Sequence, residues 1–156
     1  MKKSRSQKIV PIIFAVFICL LLLFKLLTPG NIKELLNINV DDINMISVIS
    51  STNTVSPINM YYTRDKNEIS AFTDLISNEK IKLTELFPRD IRYSGNGTIY
   101  DVYIRYNGSN KDKNLNITTD GNIYYGCFKF SFVNTESSNE IFESINDMIT
   151  SWQNAK

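Results

Sequence analysis

The stretch TIYDVYIRY, residues 98–106, decides the fold of this chain. Every second side chain is apolar or aromatic and is predicted to line one face: Tyr100, Val102, Ile104 and Tyr106. A period of two is typical of a half-buried β-strand. Residues 115–119 continue as a second strand, Asp120 and Gly121 mark a tight turn, and residues 123–133 form a third strand. Residues 98–133 therefore predict a three-stranded antiparallel meander.

A hairpin and a helix precede the meander. A β-branched run at 43–49 predicts one strand, a polar loop follows it, and residues 58–63 predict a second strand that pairs with the first. Asp65 and Glu68 stand in the relation of a capping box, and a helix with one apolar face follows and ends near Asn78. Residues 81–88 are partly apolar but show no clear period, so no element is predicted there.

A second amphipathic helix closes the chain. Ser137 and Glu140 have the capping-box spacing, and one stripe then carries the apolar residues: Ile141, Ile145, Met148, Ile149 and Trp152. We therefore expect an α+β domain, with an antiparallel sheet of about five strands and two amphipathic helices on one face. The predicted order is β-β-α-β-β-β-α.

The N-terminus predicts a membrane segment. Lys2, Lys3, Arg5 and Lys8 form a basic cluster, and no charged residue lies between positions 9 and 24. About 19 helical residues, from 9 to 27, rise about 28 Å, close to the thickness of the hydrocarbon core. We expect an N-terminal transmembrane helix at 9–27 whose anchoring side chains include these: Ile9, Ile13, Phe17, Leu21 and Phe24.

Two other interpretations of this segment are a cleaved secretory signal and a lipoprotein signal. Residues 24–30, FKLLTPG, offer no pair of small residues for cleavage. Cys19 lies in the middle of the apolar run rather than after small residues. Lys25 can extend its ammonium to the interface. A retained signal anchor is therefore favoured over a cleaved signal, and a lipoprotein is the least favoured.

Charge asymmetry predicts the topology, because basic flanks stay in the cytoplasm. We expect a cytoplasmic tail at 1–8, a signal anchor at 9–27, a linker at 28–41 and an extracytoplasmic domain at 42–156. The chain is then a single-pass protein of the cell membrane with its N-terminus inside. Residues 29–156 carry twelve basic and sixteen acidic side chains, a net charge of −4. That balance argues against a nucleic-acid partner.

The absence of histidine excludes several kinds of chemistry. It removes Ser-His-Asp and Cys-His nucleophiles and the common zinc ligand sets. Cys127 stands alone in an aromatic strand and is predicted to be a core residue. Asp112 opens an EF-hand spacing, but Ile117 and Ile123 occupy the positions that need glycine and glutamate. We therefore expect no catalytic residue, no metal and no cofactor.

The carboxylates Asp41, Asp42, Asp101 and Glu85 are predicted to be solvated surface groups, and no motif marks them as the pair needed for glycoside cleavage. The composition, rich in Asn, Ile, Lys and Tyr, is typical of a Gram-positive bacterium with an AT-rich genome.

Tyrosines concentrated on strands suggest a contact surface, although tyrosine is also a good strand former. The predicted contact residues are these: Tyr61, Tyr103, Tyr124 and Tyr125. The favoured function is a non-enzymatic, membrane-tethered binding or regulatory module, which contacts the lipid bilayer through residues 9–27 and an envelope protein or wall ligand through the domain. The alternatives are a small envelope enzyme that uses carboxylates on wall polymer and an immunity or inhibitor protein.

Three segments carry a resemblance: residues 65–76 (a charged start, then I-x-x-F-x-x-L-I), the strand at 100–104 and the DGNIY hairpin at 120–124. With them the chain resembles a group of small uncharacterised exported or membrane-anchored proteins of Firmicutes, which share a domain of unknown function. The resemblance implies an extracytoplasmic location and an α+β fold, and no activity.

Overall fold

The computed structural model describes residues 5–27, 30–52, 59–88, 97–108 and 112–154. The helices are α1 (Arg5–Leu27), α2 (Ile32–Leu36), α3 (Lys66–Ser77) and α4 (Thr135–Thr150), with a 3₁₀ turn at Val40–Asp42. The strands are β1 (Gly30–Asn31), β2 (Ile43–Thr52), β3 (Asn59–Thr63), β4 (Lys80–Leu86), β5 (Thr98–Tyr106), β6 (Lys113–Thr118), β7 (Asn122–Tyr125), β8 (Phe128–Phe132) and β9 (Gln153–Asn154).

All described strands form one antiparallel sheet in the order β1-β4-β8-β7-β6-β5-β2-β3-β9. The α+β class is therefore confirmed. In β5 the period of two is confirmed as well, because Val102 and Ile104 are fully buried while Tyr103 between them is exposed. Their side of the sheet packs with α2, α3 and α4 around the core. We call the opposite side, which carries Tyr103, the open face.

The prediction of about five strands is wrong, because the described residues form nine. The segment 123–133 is two strands rather than one: Tyr125 pairs with Phe128 across a turn made by Gly126 and Cys127. Gly126 has φ of 59°, the left-handed region that glycine enters without steric cost. Cys127 is accordingly exposed in this turn, and its assignment to the core is wrong.

The other strands that were not predicted have a weak sequence pattern for physical reasons. In β4 the register with β8 shifts between Leu83 and Glu85, and this bulge breaks the alternation that would reveal the strand. The edge strands β1 and β9 are each two residues long. So short a segment carries no period.

The prediction of an N-terminal transmembrane helix is also wrong. In the part of the chain that the structure describes, no helix combines the length and the apolar content needed to cross a bilayer. The uncharged run from position 9 to 24 has 16 residues, which rise only about 24 Å, and Lys25 ends it.

The segment predicted to be a linker contributes to the core. Ile32 and Leu36 of α2 are buried, and so is Ile38 after it. The Oδ1 atom of Asn31 accepts a hydrogen bond from the backbone N–H of Glu34 at 2.7 Å, which caps the start of α2. Residues 31–38 are therefore packed against the domain.

The helix α3 begins where the sequence predicts. Asp65 is its N-cap and accepts from the backbone N–H groups of Asn67 and Glu68. Glu68 does not close the box on the N-cap backbone. Its carboxylate instead accepts from the hydroxyl of Thr63, and that hydroxyl accepts from the N–H of Asp65. Thr63 therefore joins the end of β3 to the first turn of the helix.

The helix α4 begins at Thr135, two residues before the predicted start at Ser137. Ile141, Ile145 and Ile149 are buried, which confirms the apolar stripe. Trp152 lies beyond the helix end, and its ring centre is 5.3 Å from that of Phe72 in α3. The turn after α4 thus brings the two helices together.

Candidate functional site

The open face carries a shallow groove where β2, β3 and β5 lie side by side. Ser47 is central, since it pairs with Tyr62 of β3 on one side and with Tyr103 of β5 on the other. Partners in a ladder project from the same face. Ser47 is buried and small, so the larger side chains around it leave a depression above it.

The groove has a volume of about 160 Å³. Its walls are mostly apolar, and the charged pair of Arg105 and Asp112 lies at one end. The lining residues are Met45, Ser47, Ile49, Met60, Tyr103, Arg105 and Asp112. Met60 is 37% exposed and Tyr103 is 38% exposed. Large apolar side chains of the domain are therefore accessible here to a partner.

An ion pair bounds the groove. The Nε atom of Arg105 lies 3.3 Å from the Oδ2 atom of Asp112, and both side chains are about half exposed. A pair this exposed contributes at most about 1 kcal/mol to stability. The guanidinium of Arg105 retains further N–H donors for a ligand.

The four predicted contact tyrosines do not share one surface. Tyr103 and Tyr124 belong to the open-face side of the sheet, in the ladders that pair Tyr103 with Asn114 and Asn116 with Tyr124. Tyr124 is only 2% exposed, and the ammonium of Lys129 lies 5.8 Å from its ring centre. Tyr61 and Tyr125 are half-buried and pack against the core. Of the four, Tyr103 alone presents an exposed ring.

The predicted anchoring residues all lie in α1. Ile13, Phe17 and Leu21 are exposed, at 62%, 55% and 53%. The side chains of Ile9 and Phe24 lie outside the described part. The structure therefore brings none of the three described anchoring side chains into the domain core.

Sequence reasoning missed Met45, Ile49 and Met60, which line the groove. Met45 and Ile49 are two residues to either side of Ser47 on one strand, so their shared face could have been inferred. The contribution of Met60 could not, because it depends on the register that pairs it with Ile49.

The carboxylates considered for glycoside cleavage do not converge. Asp101 and Glu85 lie in one cross-strand row, separated by Asn116, Tyr124 and Lys129. Four strand spacings of about 4.8 Å place them roughly 19 Å apart, whereas glycosidase pairs lie about 5–9.5 Å apart. Asp101 also accepts a hydrogen bond from the side-chain amide of Asn116. This pair therefore lacks the geometry for glycoside cleavage.

The carboxylates Asp41 and Asp42 lie in the 3₁₀ turn before β2. The Oδ2 atom of Asp42 accepts from the side-chain amide of Asn39 at 2.7 Å. Across the described ranges, no three Asp, Glu or Cys side chains are grouped as metal ligands would be. Two residues of the EF-hand spacing have other partners: Asp112 accepts a hydrogen bond from Arg105, and Asn116 donates one to Asp101.

A second cavity, of about 470 Å³, lies where β3 meets α3 and the turn after α4. Its lining combines aromatic, charged and hydroxyl groups: Tyr62, Thr63, Arg64, Asp65, Glu68, Ser151 and Trp152. The carboxylate of Asp65 already caps α3, and that of Glu68 already accepts from Thr63. These charged groups serve the local fold.

Two tyrosines on the core side of β5 have perturbed acidity. Burial raises the pKa of Tyr100, and the nearby Tyr61 raises it further. Burial likewise raises the pKa of Tyr106, with smaller contributions from Tyr125 and Asp42. The hydroxyl of Tyr100 lies 3.3 Å from the Oδ1 atom of Asn146, to which it donates. Both hydroxyl groups are therefore protonated at neutral pH, and both side chains are packed as structural residues.

No protein-family model matches the chain, and neither a curated protein nor a solved structure matches it.

Proposed function

We propose that this protein is a non-enzymatic binding or regulatory module that works at the outer face of the cell membrane. Its contact surface is the groove above Ser47, and its partner is an envelope protein or a wall ligand. The observation that carries the proposal is that Met60 and Tyr103, both exposed, line the same groove on the open face.

The residue types in the groove support binding. Tyrosine, methionine and arginine are enriched in protein interfaces, because each provides a large contact area. The groove offers all three types, in Tyr103, Met60 and Arg105. Partner side chains that enter it would cover Ile49 as well.

The position of the groove also supports binding. It lies on strands β2, β3 and β5, whose ladders are among the longest of the described sheet. A contact surface on paired strands is held more rigidly than one on loops, and it therefore loses less conformational entropy on binding. The separation of Asp101 from Glu85 weighs against the alternative of a wall-degrading enzyme.

The experiment is site-specific photocrosslinking in cells that produce the protein. A photoreactive phenylalanine replaces Tyr103 in one variant and Glu143, exposed on the outer side of α4, in the control. We expect a discrete crosslinked species from position 103 and none from position 143. Equal crosslinking at both positions, or none at either, would overturn the proposal.

A pair of substitutions at the groove floor makes the test specific. Ser47→Phe fills the depression between Tyr62 and Tyr103, while Ser47→Ala leaves it open. We expect the first change to remove the crosslink from position 103 and the second to retain it. Urea unfolding of both variants shows whether the domain remains folded. A folded Ser47→Phe protein that still crosslinks would count against the groove.

A further inference from the structure

We propose that the cavity where β3 meets α3 and the turn after α4 binds a free α-amino acid. Its volume of about 470 Å³ falls within the range of small-molecule pockets, about 300–1,000 Å³. None of its described lining residues lines the groove above Ser47. The two sites can therefore be tested separately.

The first observation is a buried donor without an acceptor. Trp152 lines the cavity and is 94% buried, and its Nε1–H has no hydrogen-bond partner among the residues that the structure describes. Buried polar groups in native proteins nearly always have a partner, because leaving one unpaired is costly. A ligand oxygen in the cavity would supply the acceptor that this indole lacks.

The second donor is the guanidinium of Arg64, which is exposed and lines the same cavity. Within the described ranges Arg64 makes no ion pair, since the described pair joins Arg105 to Asp112. The planar fork of N–H donors in a guanidinium matches the two oxygens of a carboxylate. Arg64 and Trp152 together therefore select a ligand that carries a carboxylate.

Two carboxylates, of Asp65 and Glu68, select the rest of the ligand. Each serves the local fold with one oxygen: Asp65 caps α3 through Oδ1, and Glu68 accepts from Thr63 through Oε2. The other oxygen of each remains an acceptor for a ligand. A simple anion would meet one positive and two negative side chains on this lining. An ammonium next to the ligand carboxylate turns the repulsion into attraction, and an α-amino acid has this arrangement.

The aromatic part of the lining favours an aliphatic side chain on the ligand. Tyr62 and Trp152 both contribute to the cavity wall, and rings of this kind provide apolar contact area. L-leucine combines the two charged groups with such a side chain. It is therefore the probe for this site.

The experiment is isothermal titration calorimetry of the full-length chain with L-leucine, in a non-ionic detergent that covers the exposed apolar side chains of α1. Trp152 is the only tryptophan, so its fluorescence gives a second readout at the site itself. We expect saturable binding and a change in emission over the same range of concentrations. The absence of both would refute the site. Heat of binding without a change in emission would place leucine elsewhere and would also count against this cavity.

Two analogues of leucine test the charges of the ligand. Leucinamide lacks the carboxylate, and N-acetyl-leucine lacks the ammonium. Each should bind at least about tenfold more weakly than leucine, since each leaves charged lining groups without a partner. Equal affinity for N-acetyl-leucine would indicate a plain anion site, and equal affinity for leucinamide a plain cation site. Either result would contradict the assignment to an amino acid.

Substitutions on the lining test the residues. Arg64→Gln removes the guanidinium, and Glu68→Gln removes a charge while keeping an acceptor for Thr63; each should weaken leucine binding at least about tenfold. The controls are Lys82→Gln and Glu85→Gln, exposed on β4 near the opposite edge of the sheet, which should retain the natural affinity. Circular dichroism checks that each variant is folded. Folded lining variants that bind leucine as tightly as the controls would eliminate the proposed site.

Discussion

The ammonium group of Lys113 in β6 lies 3.1 Å from the carbonyl oxygen of Asn37, to which it donates a hydrogen bond. It also donates to the carbonyl oxygen of Leu36. These carbonyls belong to the C-terminal end of α2, where the helix has no internal donors to offer. The same ammonium lies 5.3 Å from the centre of the Tyr106 ring. One side chain thus joins α2 to the middle of the sheet.

Lys113→Met should destabilise the domain by about 1–3 kcal/mol, because it leaves the carbonyl of the buried residue Leu36 without this donor. Urea unfolding followed by circular dichroism measures the change. Lys82→Met, on the exposed surface of β4, is the control and should shift the free energy of unfolding by less than about 0.5 kcal/mol. Equal effects of the two substitutions would remove the role assigned to Lys113.

Asp65→Ala should cost about 1 kcal/mol, within a range of about 0.5–2, since two backbone N–H groups of α3 lose their acceptor. The control is Asp74→Ala, which removes an exposed carboxylate inside the same helix. Thermal and urea unfolding of both variants give the comparison. If Asp74→Ala costs as much as Asp65→Ala, the cap contributes nothing of its own.

Trp152→Ala should cost about 3–5 kcal/mol, because the ring is 94% buried and packs on Phe72. Val133→Ala, at a site that is 46% exposed, should cost far less. Since Trp152 is the only tryptophan, the unfolding of both variants is followed by circular dichroism. A loss below about 1 kcal/mol would show that the turn after α4 is not part of the core.

Alkaline pH should destabilise the domain through Tyr100 and Tyr106. Burial raises the pKa of each in the folded state above the unfolded value of about 10. The folded protein then binds more protons than the unfolded chain, so this contribution is complete below about pH 10 and is lost as the pH rises through the folded pKa. The free energy of unfolding should therefore fall above about pH 10.

The double substitution Tyr100→Phe and Tyr106→Phe should flatten that loss. Tyr103→Phe, on the open face, should retain the dependence of the natural chain. Urea unfolding at a series of pH values measures the slope for each protein. An unchanged slope in the double variant would assign the alkaline loss to other groups.

The hydroxyl of Tyr106 also gives a reason to test the single substitution Tyr106→Phe. Its oxygen is buried without a hydrogen-bond partner among the residues that the structure describes. A buried polar group in this state costs about 1–3 kcal/mol. At neutral pH, Tyr106→Phe alone should therefore be neutral or stabilising, and urea unfolding would reveal a loss if an acceptor for the hydroxyl exists.

Local patterns predicted local structure well. The alternation in β5, the cap at Asp65 and the turn at Asp120 and Gly121 are all present, and Gly121 has φ of 78°. Each of these features depends on neighbours within a few residues. Where a pattern was interrupted, prediction failed: the bulge near Thr84 concealed β4, and the turn at Gly126 divided one apparent strand into two.

The groove could not be predicted because it depends on contacts between distant segments. Ser47, Tyr62 and Tyr103 meet only through the register of β2 with β3 and with β5. A shift of one residue would turn each of these side chains to the other face. The exposure of Tyr103 and the burial of Tyr124 likewise depend on what covers each ring in the folded chain.

The amino-acid sequence by itself determined the α+β class, the two amphipathic helices and the lack of histidine chemistry, since composition and short-range periodicity are sufficient for each. Tertiary structure alone decided the order of the nine described strands, the inclusion of Ile32 and Leu36 in the core and the position of the groove. The physical reason is that strand pairing and burial join residues far apart in the chain, and no local pattern specifies which distant partner each will meet.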